Sequence, residues 1–247
     1  HVNIEGAGQA LTVLDAENTN RIMIIDNNIN NQISNLTIFR GETFFEMEDN
    51  DSPLYSEYGC TGPAIYITNA DPVLTQITVK DCRSECSAEG GCGIINLVQS
   101  NAILSNITIK ENLGYGIYIV ISEPIITNTI ITDNAGGGIF IYSESEVTSN
   151  PVMSDMTIEN NFPTSHMGWY GDGGGIVSHW SNFSLTNSNI EGNITEQNGG
   201  GMRLYKSNPI ISDVHIDNNT VLEGDCLGGG IYMEDSNPIF TNVTINN

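Results

Sequence analysis

Positive charge is scarce in this 247-residue chain: seven Lys and Arg stand against 30 Asp and Glu, a formal net charge of −23. Nucleic acids and anionic membranes are held by clustered Lys and Arg, so neither is an expected partner. The balance suits a soluble chain that collects cations. No apolar run reaches the ~20 residues needed to span a bilayer, and no basic segment leading into an apolar one marks a signal peptide. This segment is therefore not expected to insert in a membrane. The chain begins at His1 rather than Met and reads as a processed or excised fragment. Helical spacing is also missing. Apolar residues come in short runs separated by Gly, Asn, Asp and Pro, the pattern of strands and turns.

What the sequence does have is a repeat. Residues 116–134, GIYIVISEPIITNTIITDN, form one copy: Gly, an apolar strand, a turn, Pro124, a second strand, the corner residue Asn128, a third strand and a closing Asp-Asn. First strands align at Ile22, Ile65, Ile94, Ile117, Ile139, Ile176, Met202 and Ile231, and third strands end at Ile38, Val79, Ile109, Ile131, Ile158, Ile190, Ile216 and Ile245. Three short β runs per period of about 20 residues predict an all-β solenoid of about eight coils, each with three short strands. The whole of 1–247 reads as one domain, because a repeat array grows as one continuous core. Length variation falls almost entirely between copies, at 39–60, 80–92, 159–174 and 217–229, so the insertions stack at one corner. Inward positions are expected to include Ile117, Ile119, Ile125, Ile131, Ile139, Ile141, Ile210, Ile216, Ile231 and Ile245.

Second strands open on Pro in several copies (Pro72, Pro124, Pro151, Pro209, Pro238), where no later ladder bond is lost. A polar residue then marks each corner: Asn35, Gln76, Asn106, Asn128, Asp155, Asn187, Asp213 and Asn242. Short polar side chains tolerate the left-handed backbone of a tight bend, and stacked amides can bond up the column. The phrases Gly-Gly-Gly-Ile (136–139, 173–176, 228–231) and Asn-Pro-Ile-x-[Ser/Thr]-[Asn/Asp]-Val-x-Ile (208–216, 237–245) resemble right-handed parallel β-helix repeat proteins of the pectin-lyase-like class. The glycine phrase is also similar to that of polymorphic outer-membrane proteins. The resemblance implies a single-stranded right-handed parallel β-helix, secreted or at the cell surface. For activity it implies only a choice, since the class holds lyases, hydrolases, adhesins and structural proteins.

The residues themselves name no catalytic group. Reading outward positions on the first strands gives one column of Met23, Tyr66, Ile95, Tyr118, Phe140, Val177, Arg203 and Tyr232, and another of Ile25, Thr68, Leu97, Val120, Tyr142, His179, Tyr205 and Glu234. One carboxylate among sixteen positions makes no acid/base pair. The columns are apolar and aromatic, so loops, a protein partner or sugar rings are expected to cover them. Candidate glycan contacts are His166, Trp169, Tyr170 and Asp172 in one insertion, with Tyr118 and Phe140 on the adjoining strands. Glu46, Glu48, Asp49 and Asp51 are the candidate calcium ligands, though no EF-hand spacing joins them. Cys60, Cys82, Cys86 and Cys92 are candidate disulfide partners of the extracellular kind; their spacing does not suit zinc, and Cys226 is left over.

These readings favour a structural or adhesive surface module that needs no cofactor, with glycan or another surface protein as partner. Neither end of the sequence carries an amphipathic capping segment, which predicts either end-to-end stacking into a fibre or a longer parent chain. The alternative is a polysaccharide lyase or glycoside hydrolase with its site under an insertion. Calcium, if taken up, would sit in loops without a rigid cage. EDTA is therefore expected to leave the melting temperature unchanged within a degree or so, and a large drop would reveal a structural calcium.

Overall fold

The computed structural model describes residues 2–27, 29–43, 62–84, 93–144, 149–162, 173–222 and 227–246. Every strand pairing among them is parallel. Eight short strands, from Met23–Asp26 to Ile231–Glu234, form one sheet in chain order. The expected second and third strands of each copy run together as one long strand, such as Ile103–Lys110 or Ile210–Asp217, in a ten-stranded sheet. Ile4–Glu5 and Val13–Asp15 add to its first edge, pairing with Ile29–Phe39.

Each long strand bends at its predicted corner. All eight corner residues have positive φ, between 47° and 58°. Left-handed backbone costs an L residue about 1–2 kcal/mol, least for Asn and Asp, which explains the composition of this column. The stacked side chains bond in pairs, Asn128 Nδ2 to Asn106 Oδ1, Asn187 Nδ2 to Asp155 Oδ1 and Asn242 Nδ2 to Asp213 Oδ1. Two further left-handed columns escape the sequence reading. One follows the long strand (Arg40, Asp81, Glu111, Asp133, Asn160, Asn218, with Gly192 at 63°) and one follows the short strand (Asn27, Asn69, Gln99, Ile121, Trp180, Lys206, Asp235).

After Asp81, Glu111, Asp133, Asn160, Gly192 and Asn218 the next residue turns inward, and a buried ladder results. Asn112, Asn134, Asn161, Asn193 and Asn219 stack with each Nδ2 donating to the next Oδ1 at 2.9–3.0 Å. Each Oδ1 from Asn134 onward also accepts the backbone N–H of the preceding coil, and each Nδ2 from Asn134 onward also donates to an isoleucine carbonyl. Cys82 heads the same column as a free, buried thiol whose N–H donates to Asn112 Oδ1 at 2.9 Å. The other corner carries serines: Ser100 and Ser122 donate their N–H groups to Ser122 and Ser149 Oγ, and Ser181 and Ser207 to Ser207 and Ser236 Oγ. Polar satisfaction of this kind is what lets a turn be buried.

The inner faces meet in one continuous aliphatic core from Ile25 to Ile216. Ile117, Ile119, Ile131, Ile139, Ile141 and Ile216 lie in it as expected. Ile125 and Ile210 do not. They are 44% and 54% exposed, and Ile126 and Ile211 take the inward places. In an apolar pair after Pro the pattern cannot say which residue faces in, and a one-residue slip reverses the face. Ile231 and Ile245 keep the inward register on the last described coil, where Ile245 is 49% exposed. The glycine phrase has a steric origin: a Cβ on Gly138 or Gly175 would lie 2.3 Å from the carbonyl oxygen of the glycine one coil on. Side chains are excluded there.

The buried and exposed amide columns should differ sharply in energy. Asn134→Ala removes four buried side-chain hydrogen bonds and is expected to destabilise by roughly 2–4 kcal/mol. Asn128→Gly, at an exposed left-handed corner, is expected to change stability by less than about 1 kcal/mol. Urea unfolding followed by circular dichroism checks both.

Candidate functional site

The outer face of the eight-stranded sheet carries both rings and charges. Its register differs from the sequence alignment in two coils. Met23 pairs with Ile65, and Ile95 with Ile65 and Ile117, so Met23, Ile25, Ile95 and Leu97 point inward. Ile24, Asp26, Asn96 and Val98 take the outward places. Runs such as Ile22-Met23-Ile24-Ile25 offer no alternation, and pairing with the neighbouring coils decides the face.

The corrected columns run from a covered region to an open one. Tyr66, Val98, Tyr115, Tyr118, Val120, Phe140 and Val177 form a second apolar cluster on this outer face, each no more than 5% exposed. Tyr118 and Phe140, expected as ring platforms for a glycan, are 3% and 1% exposed with centroids 5.2 Å apart. They are packing residues. Burial also pushes the Tyr115 phenol well above its ordinary value. Arg21 lies at this end with its guanidinium 5.6 Å from the Tyr66 ring centroid and its Nε donating to Gly62 O at 2.8 Å.

Toward the C-terminal coils the face opens. His179 packs between Phe140 (5.5 Å) and Tyr205 (5.4 Å) and is 4% exposed. Trp180 meets Tyr142 and Tyr205 edge-on at 6.2 and 5.2 Å. Lys206 places its Nζ 5.5 Å from the Trp180 ring centroid and 5.0 Å from that of Tyr205. Arg203 pairs in register with Tyr232, and Tyr205 with Glu234. Burial lowers the Arg203 guanidinium from its ordinary value, and the Glu234 charge opposes that shift. Trp180, Tyr205 and Tyr232 are all partly exposed, so this end presents ring surface flanked by both signs of charge.

The Trp180 backbone is informative. Its φ is 51° at a corner where most coils place Asn, Gln, Asp or Lys. A bulky residue is uncommon in this region, and in this column Trp180 shares that geometry with Ile121. Among the described strand residues two carboxylates reach the outer face, Asp26 and Glu234, on the first and last strands of the sheet. At ~4.8 Å per strand they are roughly 34 Å apart, far beyond the ~5–9.5 Å of a glycosidase pair. Among the described residues no three His, Cys, Asp or Glu converge on a metal position.

A groove follows the bend of the long strands, lined at its C-terminal half by Asp155, Asn187, Asp213, His215, Asn242 and neighbouring Thr and Ser residues. Its side chains are largely occupied with each other along the corner column. Of the other sequence candidates, His166, Trp169, Tyr170, Asp172, Glu46, Glu48, Asp49, Asp51, Cys60, Cys86 and Cys92 lie outside the described residues. Cys82 is buried, and burial pushes its thiol up to about 12. Trp180 was missed because nothing in His-Trp-Ser marks a left-handed corner; its alignment with Lys206 and Asp235 after the strand is the signal.

The sequence matches the family described as right handed beta helix region over residues 12–190. This chain belongs to that family. The handedness of the solenoid follows from the match. A search of curated proteins found no match. Among solved structures, the A-module of the mannuronan C-5 epimerase AlgE4 from Azotobacter vinelandii is similar over 100% of this chain and 81% of its own length. The TM-score is 0.45 and the identity 12%, too distant to argue activity. No helix among the described residues is long and apolar enough to cross a membrane.

His179 yields a pH test of this β-helix. Burial lowers its value from 6.5 to about 4, so between those values the unfolded chain binds the extra proton. Stability should therefore fall as pH drops from 6.5 toward 4, by up to roughly 3 kcal/mol from this group. His179→Gln should flatten that part of the profile, as read by urea midpoints across the range.

Proposed function

We propose that the protein is a secreted or cell-surface β-solenoid module that recognises a glycan at the open, C-terminal end of its short-strand sheet. The observation that carries this reading is the partly exposed Trp180–Tyr205 pair, joined by Lys206 and lying beside Arg203, Tyr232 and Glu234. Rigid rings offer apolar faces to sugar C–H groups, and adjacent charged groups fix orientation through hydrogen bonds. A stacked sheet supports such a platform well, because Tyr205 stands on a strand paired on both sides and Trp180 sits at the corner directly after the neighbouring strand. The net charge of −23 repels polyanions at long range, so neutral or sparsely charged glycans are the favoured class.

A second reading, a lyase- or hydrolase-type activity at the same place, is supported by Arg203 and Glu234 on adjacent strands. Glu234 would serve as proton donor or acceptor and Arg203 would stabilise developing negative charge.

The two readings separate experimentally. A glycan array should find binding that weakens roughly tenfold or more in Tyr205→Ala and in Trp180→Asn. Asn at position 180 suits the left-handed backbone, so that variant should melt no lower than the parent. Absence of any glycan binding, or binding indifferent to both substitutions, would overturn the recognition reading. Turnover of a polysaccharide that Glu234→Gln abolishes would establish the enzymatic one.

A further inference from the structure

The third-strand face of the long-strand sheet, remote in function from the aromatic strip, carries a charge pattern that the fold does not require. Its final outward column runs in register from Asp15 through Phe39, Lys80, Lys110, Thr132, Glu159, Glu191 and Asp217 to Asn246. Two of the chain's three lysines stand here on adjacent coils. Two coils beyond Lys110, past Thr132, stand stacked carboxylates. Like charges ~4.8 Å apart on neighbouring strands repel, so stacking Lys on Lys and Glu on Glu burdens the monomer. The parallel column on the same face is uncharged near its middle, with Ile130, 42% exposed, flanked by Thr108 and Thr157.

We infer that this face is a docking surface for a second copy of the chain, related by a two-fold axis through the coil of Ile130 and Thr132. Thr132 is the central residue of the nine in the column. An axis in the plane of the face and parallel to the strands reverses coil order and keeps position along the strand. It sets Lys110 opposite Glu159 of the other copy and Lys80 opposite Glu191, each twice, with Ile130 against Ile130 at the centre. The surface is thus self-complementary, as a two-fold interface must be. The other face-to-face arrangement, with coil order preserved, would set Lys against Lys and Glu against Glu, and the charges exclude it.

Within the monomer these groups have only weak engagements. Lys110 Nζ is 3.2 Å from the exposed Glu111 carboxylate, and Lys80 Nζ lies 5.0 Å from the Phe39 ring centroid. Exposed pairs of this kind are readily exchanged for others. The face measures roughly 34 by 13 Å from strand spacing and rise. That is about half the ~800 Å² per partner of a standard interface, so the dimer is a weak, salt-sensitive one.

Sedimentation velocity at submillimolar protein and low salt should show dimer that dissociates as salt is raised. Lys80→Glu/Lys110→Glu and Glu159→Lys/Glu191→Lys should each be monomeric, with dimerisation weakened roughly tenfold or more. Mixing the two should restore dimer, because every facing pair is then opposite in sign. The quadruple charge-swapped chain should dimerise alone. Melting curves confirm that the variants fold. A monomer under all conditions overturns the proposal. So does a dimer or fibre that ignores these reversals, which would indicate end-to-end stacking, and so does a mixture that stays monomeric.

Discussion

Parallel, in-register stacking sets each residue against its own counterpart ~4.8 Å away, and nearly everything in this β-helix follows from it. A residue that bonds well to its like is multiplied into a ladder; one that does not is excluded. Asparagine suits the first condition, since its amide both donates and accepts, and the column from Asn112 to Asn219 bonds amide to amide throughout. Glycine answers the second where backbones approach too closely for a Cβ, as at Gly138 and Gly175. Aspartate in the corner column, which can only accept, is placed beside an asparagine that donates, at Asp155–Asn187 and Asp213–Asn242.

The same rule shapes the functional surfaces. Stacking aromatic on aromatic produces a continuous ring column from Tyr115 through Phe140 and His179 to Tyr205, most of it buried, with one open end. Burial keeps His179 uncharged near neutrality and so preserves an apolar contact between two rings. Charge on charge is the arrangement that the rule penalises, and the stacked lysines and glutamates of the third-strand face stand out for that reason.

Much of the architecture was legible because the repeat supplies several readings of each position. The corner residues Asn35 to Asn242 were identified, with their left-handed geometry, from a polar residue recurring between two β runs. The buried Asn and Ser ladders were not, although the closing Asp133-Asn134 is part of the repeat. In one dimension a closing polar pair looks like a solvated loop, and only the turn geometry shows that its second member points inward. The site was less legible still. Tyr118 and Phe140 read as outward, with loops, a partner or sugar rings as alternative covers, because alternation gives direction relative to the strand and says nothing of what lies over it.

By itself, the sequence determined the period, the parallel solenoid, the first left-handed corner and most of the core, because each is a local preference repeated along the chain. Only the tertiary structure decided the register in coils such as Ile22-Met23-Ile24-Ile25, where every candidate residue is equally apolar. It also decided which rings remain open to solvent, and which charges lie side by side. Those properties depend on residues 20–40 apart meeting across coils. The spacing of that meeting is set by insertions whose lengths vary, so it cannot be read off any single copy.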